Sequence, residues 1–194
     1  LTINNIAAIY YHDFFDLNLK TAGLIAGLFG LMNLFARSLG GLFGDKAGIK
    51  WGLRGRVAFL GIVLLIEGIA LVVFSQMTIL PLAIGSMVVF SLFVQMAEGA
   101  TFSVVPFINK KAIGMVSGIV GAGGNVGAVM AGFLFKMEGL SYSQSLSIMG
   151  IAVTAVSACS LIIRFSNVDE SVAKEELDKS LEHKAALQAE MVRS

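Results

Sequence analysis

TAGLIAGLFGLMNLFARSLGGLF, residues 21–43, is a run of 23 residues that carries a single charge, Arg37. As a helix it reaches roughly 35 Å at ~1.5 Å per residue, enough to cross ~30 Å of bilayer hydrocarbon. Within it Gly23, Gly27, Gly30, Asn33, Arg37 and Gly41, and then Gly44 just beyond, follow one another at spacings of three or four, so they share one helical face. A guanidinium is costly among lipid tails. The arginine on this stripe therefore faces protein or water.

The rest of the chain has the same character. Of 194 residues 56% are hydrophobic and 14% charged, and the mean hydropathy is +0.83; soluble domains carry about 25% charged residues. The net charge of +1 and the lack of a basic run exclude nucleic acid as a partner. One cysteine, Cys159, and two distant histidines, His12 and His183, leave neither an intrachain disulfide nor a zinc pattern. No catalytic triad, P-loop or cofactor fingerprint occurs, so the reading is of a protein that is not an enzyme and has no cofactor or metal. GAGG at 121–124 lies inside a bilayer-length run with no strand before it, which argues against a nucleotide loop.

Six apolar segments follow: 1–11, read as the end of a helix that begins upstream, then 21–43, 57–74, 79–105, 113–135 and 143–163. The predicted fold is an all-α membrane protein: a six-helix bundle over 1–165 with its first helix truncated, and a charged, helix-prone tail over 166–194. Lys46, Lys50, Arg54, Arg56, Lys110, Lys111 and Arg164 fall on one side of the predicted membrane, against Lys20 and Lys136 on the other. The positive-inside rule puts the loops at 45–56 and 109–111, and the tail, in the cytoplasm. Six spans so oriented match one half of a twelve-span transporter whose two bundles rock about a midplane site. In the tail, Val172, Leu177, Leu181 and Leu187 among alternating charges are compatible with an amphipathic helix, but the favoured reading is a solvated, partly frayed tail.

Three constellations are candidates for function. Arg37 offers a planar fork of donors suited to a small planar oxyanion such as nitrate, nitrite or a carboxylate. The bland alternative is an ion pair with Glu67 or Glu98, the two acidic residues inside other spans. In the segment 113–135, Gly114, Gly118, Gly121, Asn125, Ala128 and Gly132 share a face that Gly123, Gly124 and Gly127 widen. Such spacing ordinarily packs helices, yet the glycine density exceeds that need and Asn125 supplies an amide donor, so a ligand-lining role is expected. The third constellation is Asp45 with Arg54 and Arg56, a candidate ion-pair latch at the membrane surface, or simply the charges that set topology. His12, Asp13 and Asp16 at the outer face read as an exposed loop.

NLFARSLGGLFGDKAGIKWGLRGR (33–56) and ATFSVVPFINKKAIGMVSGIVGAGGNVGA (100–128) closely resemble the nitrate/nitrite porter family of the major facilitator superfamily, particularly its high-affinity plant, algal and cyanobacterial members. The resemblance runs over roughly 1–165 and corresponds to the seventh through twelfth helices. GAGGN at 121–125 is its more specific part, supported by the arginine motif at 35–41. It implies substrate contact by Arg37 with neighbouring Asn33, and by Asn125 with Gly121, Gly123 and Gly124. It implies further a second arginine and a second signature in an N-terminal six-helix half, an accessory membrane protein as a possible partner, and a plasma-membrane location. Proton-coupled nitrate uptake is the activity it implies, with Glu67 and Glu98 as proton-coupling candidates; some bacterial relatives exchange nitrate for nitrite. Two other readings stand beside it: a facilitator for another small organic anion, and a non-transporting membrane sensor or interaction protein.

Overall fold

The computed structural model describes residues 2–175, 179 and 182. Five α-helices order them: α1 (Thr2–Phe15), α2 (Leu19–Ser75), α3 (Leu80–Val104), α4 (Ile113–Leu134) and α5 (Tyr142–Ser157). Four of them, each with the short turn that prolongs it where one does, are long and apolar enough to cross a membrane, and no strand occurs among the described residues. This is an all-α membrane fold, with the helical segments where the apolar runs lie.

At 57 residues α2 is too long for one span, and its single interior break is Gly52, with φ 68° and ψ −158°. That backbone region is essentially open to glycine alone. It folds α2 into two antiparallel arms, 19–51 and 53–75. Ala36 of the first arm meets Val63 of the second, with Met96 and Ala97 of α3 beside them. Nearer the turn, Phe43 packs against Phe59.

The sequence predicts a loop over 45–56, and here the structure differs. Helix continues through residue 51 because Ala47 and Gly48 are buried against the second arm, while Asp45, Lys46 and Lys50 point outward. A Cβ at Gly55 would strike the Ala47 carbonyl, so only glycine allows the arms to meet this closely beside the turn.

Local signals place the remaining ends. Asn18 caps α2 by accepting from Thr21 N at 2.8 Å, Pro81 opens α3, and Ser141 with Gln144 forms a reciprocal capping box on α5. The arms and α3 make the core, and α5 packs along the second arm, where Gly68 abuts Thr154 and Gly150 abuts Val72. The outer face carries Leu24, Leu31, Ile62, Ile69, Ile151 and similar side chains in the open, as lipid contact requires.

Two ends are thereby defined. At one, Tyr10, Tyr11, Phe15, Phe74 and Tyr142 form an aromatic cluster; Tyr11 OH donates to the Ala83 carbonyl at 3.1 Å, and Tyr142 OH to Asp13 at 3.1 Å. At the other lie the Gly52 turn, the 3₁₀ turn Val105–Phe107 and the start of the tail. Phe165 packs on Val57, Leu60, Ala100 and Val104, and Ser166 caps a helical stretch at 167–175 by exchanging hydrogen bonds with Asp169. The tail is tethered over its first residues; Leu177, Leu181 and Leu187 lie outside the described residues.

Candidate functional site

Arg37 sits on the first arm of α2, and small residues hold that arm against α3 backbone to backbone. A Cβ at Gly99 would meet the Arg37 carbonyl oxygen, and one at Gly40 the Met96 carbonyl. Such proximity fixes which side chains meet across the seam. Arg37 Nη2 lies 3.1 Å from Glu98 Oε1, and its guanidinium stands 5.4 Å from the centre of the Phe102 ring. Glu98 and Phe102 are four residues apart and share a face of α3. Of the two acids that the sequence offers as partners, Glu98 is the one Arg37 meets. Glu67, 8% exposed, is buried in the second arm and has no ion-pair partner among the described residues.

Although buried by the apolar count of its sequence, the Arg37–Glu98 pair is open: the side chains are 43% and 45% exposed. Within this chain, each of the two side chains therefore keeps an uncovered side.

The stripe around Arg37 is open as well. Gly23, Gly27, Gly30 and Asn33 are exposed, and a Cβ at Gly23, Gly27 or Gly41 meets nothing within 4 Å. Gly23 and Gly27 make no close helix contact, whereas Gly41 backs onto Gly99; Gly44, expected on this stripe, is instead buried in line with Gly40, Ala36, Ala26 and Ala22 on the packing side. The openness is greater still on α4. Gly121, Gly123, Gly124 and Asn125 are exposed, no residue of α4 is buried, and a Cβ at any of its glycines meets nothing within 4 Å. Helix–helix packing within this chain accounts for none of them. No hydrogen bond or ion pair joins Arg37 to Asn125 among the described residues.

Toward the Gly52 turn an open cleft of about 370 Å³ continues past Gly41 and Gly99 to Asp45, Arg56, Ser103 and Phe107. Arg56 bonds to Asp45, donates to the Ser103 carbonyl at 3.2 Å, and lies 4.8 Å from the Phe107 ring centre. Its side chain is only 11% exposed, so this pair ties both arms of α2 to the end of α3. Arg54 is not part of it; Arg54 Nε instead meets Glu170 of the tail at 2.9 Å on the surface. Sequence reasoning missed Phe102, Ser103, Phe107 and Glu170. Phe102 alone was recoverable, from its spacing of four after Glu98.

Comparison with known proteins bears on what this face does. No protein-family model and no solved structure matches the chain. Curated relatives do. It is 47% identical over 163 residues to high affinity nitrate transporter 2.5 of Arabidopsis thaliana, covering 84% of this chain and 32% of the relative. High-affinity nitrate transporter 2.3 of Oryza sativa is 40% identical over 168 residues, covering 85% of the chain and 32% of that protein. The nitrate/nitrite transporter NrtP of a Picosynechococcus strain is 37% identical over 132 residues, covering 66% of the chain and 24% of its own length. The chain spans about a third of the length of the two plant relatives. With its bilayer-length helices and this kinship, the chain resembles a portion of a nitrate/nitrite porter of the major facilitator superfamily.

Proposed function

We propose that the protein to which this chain belongs carries nitrate, and nitrite as a related substrate, across the plasma membrane by proton symport and alternating access. In this reading the chain is the C-terminal half, residues 1–165 forming the bundle and 166–194 a cytoplasmic tail. The observation that carries it is Arg37: a permanent cation within a membrane span, half-exposed on a face whose Gly23, Gly27, Gly30 and Asn33 are left uncovered by this chain. The guanidinium fork donates two parallel hydrogen bonds to a planar oxyanion. Asn33 lies one turn away to donate a third. Asn125, with Gly121, Gly123 and Gly124 leaving room beside it, lines the facing surface once the second half of the transporter closes the cavity.

Asp45 and Arg56, clasped at the cytoplasmic end by Ser103 and Phe107, act as the latch that holds one conformation; Arg54 belongs to the tail contact instead. The kinship with nitrate transporters supports the substrate.

The test is uptake of labelled nitrate by the full-length transporter in liposomes. Arg37→Lys keeps the charge and loses the fork. Removing one charged hydrogen bond, worth about 1.5–3 kcal/mol, weakens apparent affinity roughly tenfold to a hundredfold. Undiminished affinity in that variant refutes the reading, and stronger inhibition of uptake by small carboxylates than by nitrite assigns the site to organic anions.

A further inference from the structure

We propose that the aromatic cluster at the end of the bundle opposite the Gly52 turn is a seal built to open, and that the Tyr10 hydroxyl, buried there without a partner, is what keeps its closed form from being too stable. The cost of closure is read from this chain alone; only the use of the opening in transport rests on the alternating access proposed above.

Tyr10 is 2% exposed, and its hydroxyl oxygen is the one buried side-chain polar atom with no hydrogen-bond partner among the described residues. The enclosure is internal to the chain. Phe14 stacks on the Tyr10 ring at 5.4 Å, while Tyr11, Phe74, Tyr142 and Phe15 stand edge-on to it at 5.2, 5.4, 5.9 and 6.0 Å. A second half of the transporter can reach that oxygen only after this chain has moved aside. Ring faces accept hydrogen bonds weakly, so phenylalanine would serve the packing as well as tyrosine does. The other two tyrosines of the chain make the contrast: Tyr11 OH donates to the Ala83 carbonyl and Tyr142 OH to Asp13, each at 3.1 Å.

A hydroxyl buried without a partner weights the equilibrium against the buried form by roughly fivefold to a hundredfold relative to a form in which it meets water. The ties that hold the seal shut are of two kinds. Asp13 and Tyr142 meet in an exposed contact, whose hydrogen bond water can replace when they part. Tyr11, wholly buried and bonded to α3, stays behind as the pivot. Beyond Phe15 only Asp16, Leu17 and Asn18 lead into α2, with Asp16 at φ 51°, so the last turns of α1 tilt on a short connection. Parting Tyr142 from Tyr10 then hydrates the orphaned oxygen. Tyr142 also packs on Phe135, 6.3 Å between ring centres, immediately after α4. Movement at the seal is thereby passed to α4, the helix that carries Gly121–Asn125 and has no buried residue to restrain it within this chain.

Hydrogen exchange and thermal unfolding of the full-length transporter test this with two substitutions that each remove one hydroxyl. Tyr10→Phe keeps the ring and removes the orphan, so exchange of the amides at 11–15 slows by roughly fivefold to a hundredfold and the unfolding temperature rises. Tyr11→Phe removes a bonded hydroxyl and moves both readouts the other way. In liposomes Tyr10→Phe also lowers the maximal rate of labelled nitrate uptake, because the seal opens less often. Exchange in Tyr10→Phe as fast as in wild type, or a lower unfolding temperature, means that the hydroxyl is satisfied and overturns the proposal. Slowed exchange with an undiminished maximal rate of uptake overturns the use of the opening in transport. The exchange and unfolding readouts are independent of the anion role of Arg37, which Arg37→Lys tests separately.

Discussion

Replacing Gly99 by alanine adds one methyl group at the seam on which the whole arrangement depends. The new Cβ would lie 2.9 Å from Gly41 N and 3.0 Å from the Arg37 carbonyl carbon, where ordinary contact begins at 3.4 Å, and it would press harder still on the Arg37 carbonyl oxygen. All three obstacles are backbone, so no side chain can turn aside. The helices must separate by at least about 0.5 Å, which loosens the neighbouring Gly40–Met96 contact too. Overpacking of this kind costs about 1–3 kcal/mol. Gly85, on the same helix with nothing within 4 Å of its would-be Cβ, provides the control. Both substitutions gain the same helix propensity, about 1 kcal/mol, so the difference between Gly99→Ala and Gly85→Ala isolates the packing term. Thermal unfolding of the two variants in one detergent measures it. The expectation is Gly85→Ala at or above wild type and Gly99→Ala several degrees below it. Equal stability of the two variants refutes the backbone contact.

Other substitutions report on other parts of the structure. Gly52→Ala forces a side chain into a positive-φ conformation reserved for glycine and is expected to destabilise the α2 turn by about 1–3 kcal/mol, read as reduced yield and a lower unfolding temperature. Asp45→Asn strips the carboxylate from a nearly buried Arg56; cysteine-accessibility labelling of the cleft at the Gly52 end should increase, whereas Lys46→Gln, an exposed neighbour, should leave it unchanged. Arg54→Ala breaks only a surface pair and should change stability by less than about 1 kcal/mol, while Phe165→Ala, which uncovers Val57 and Val104, should cost about 3 kcal/mol and expose the tail to protease.

How far the sequence alone leads differs from feature to feature. The helical segments are legible because each apolar run after the first is about as long as a bilayer is thick. The continuation of α2 to residue 51 is not legible, because Asp45, Lys46 and Lys50 interrupt the apolar run where it reaches the membrane surface; the helix persists for reasons on its other side, at Ala47 and Gly48. Spacing finds the stripe that carries Arg37, but a second stripe of small residues lies next to it, and only the register against α3 shows that Ala36 and Gly40 pack while Gly27 and Asn33 stay open. The same register selects Glu98 over Glu67, which no count of residues along the chain can do. Phe107 and Glu170 reach Arg56 and Arg54 through chain reversals that leave no local trace in the sequence.

Equilibrium binding of labelled nitrate to the purified full-length transporter, wild type against Arg37→Gln, tests the central claim without the complication of transport steps. Glutamine fits the space and keeps a donor but removes the charge and the fork. With Arg37 as the anion's anchor, binding falls to background in the variant while the variant still folds, read from its thermal unfolding. Saturable nitrate binding of wild-type affinity in Arg37→Gln would contradict the account.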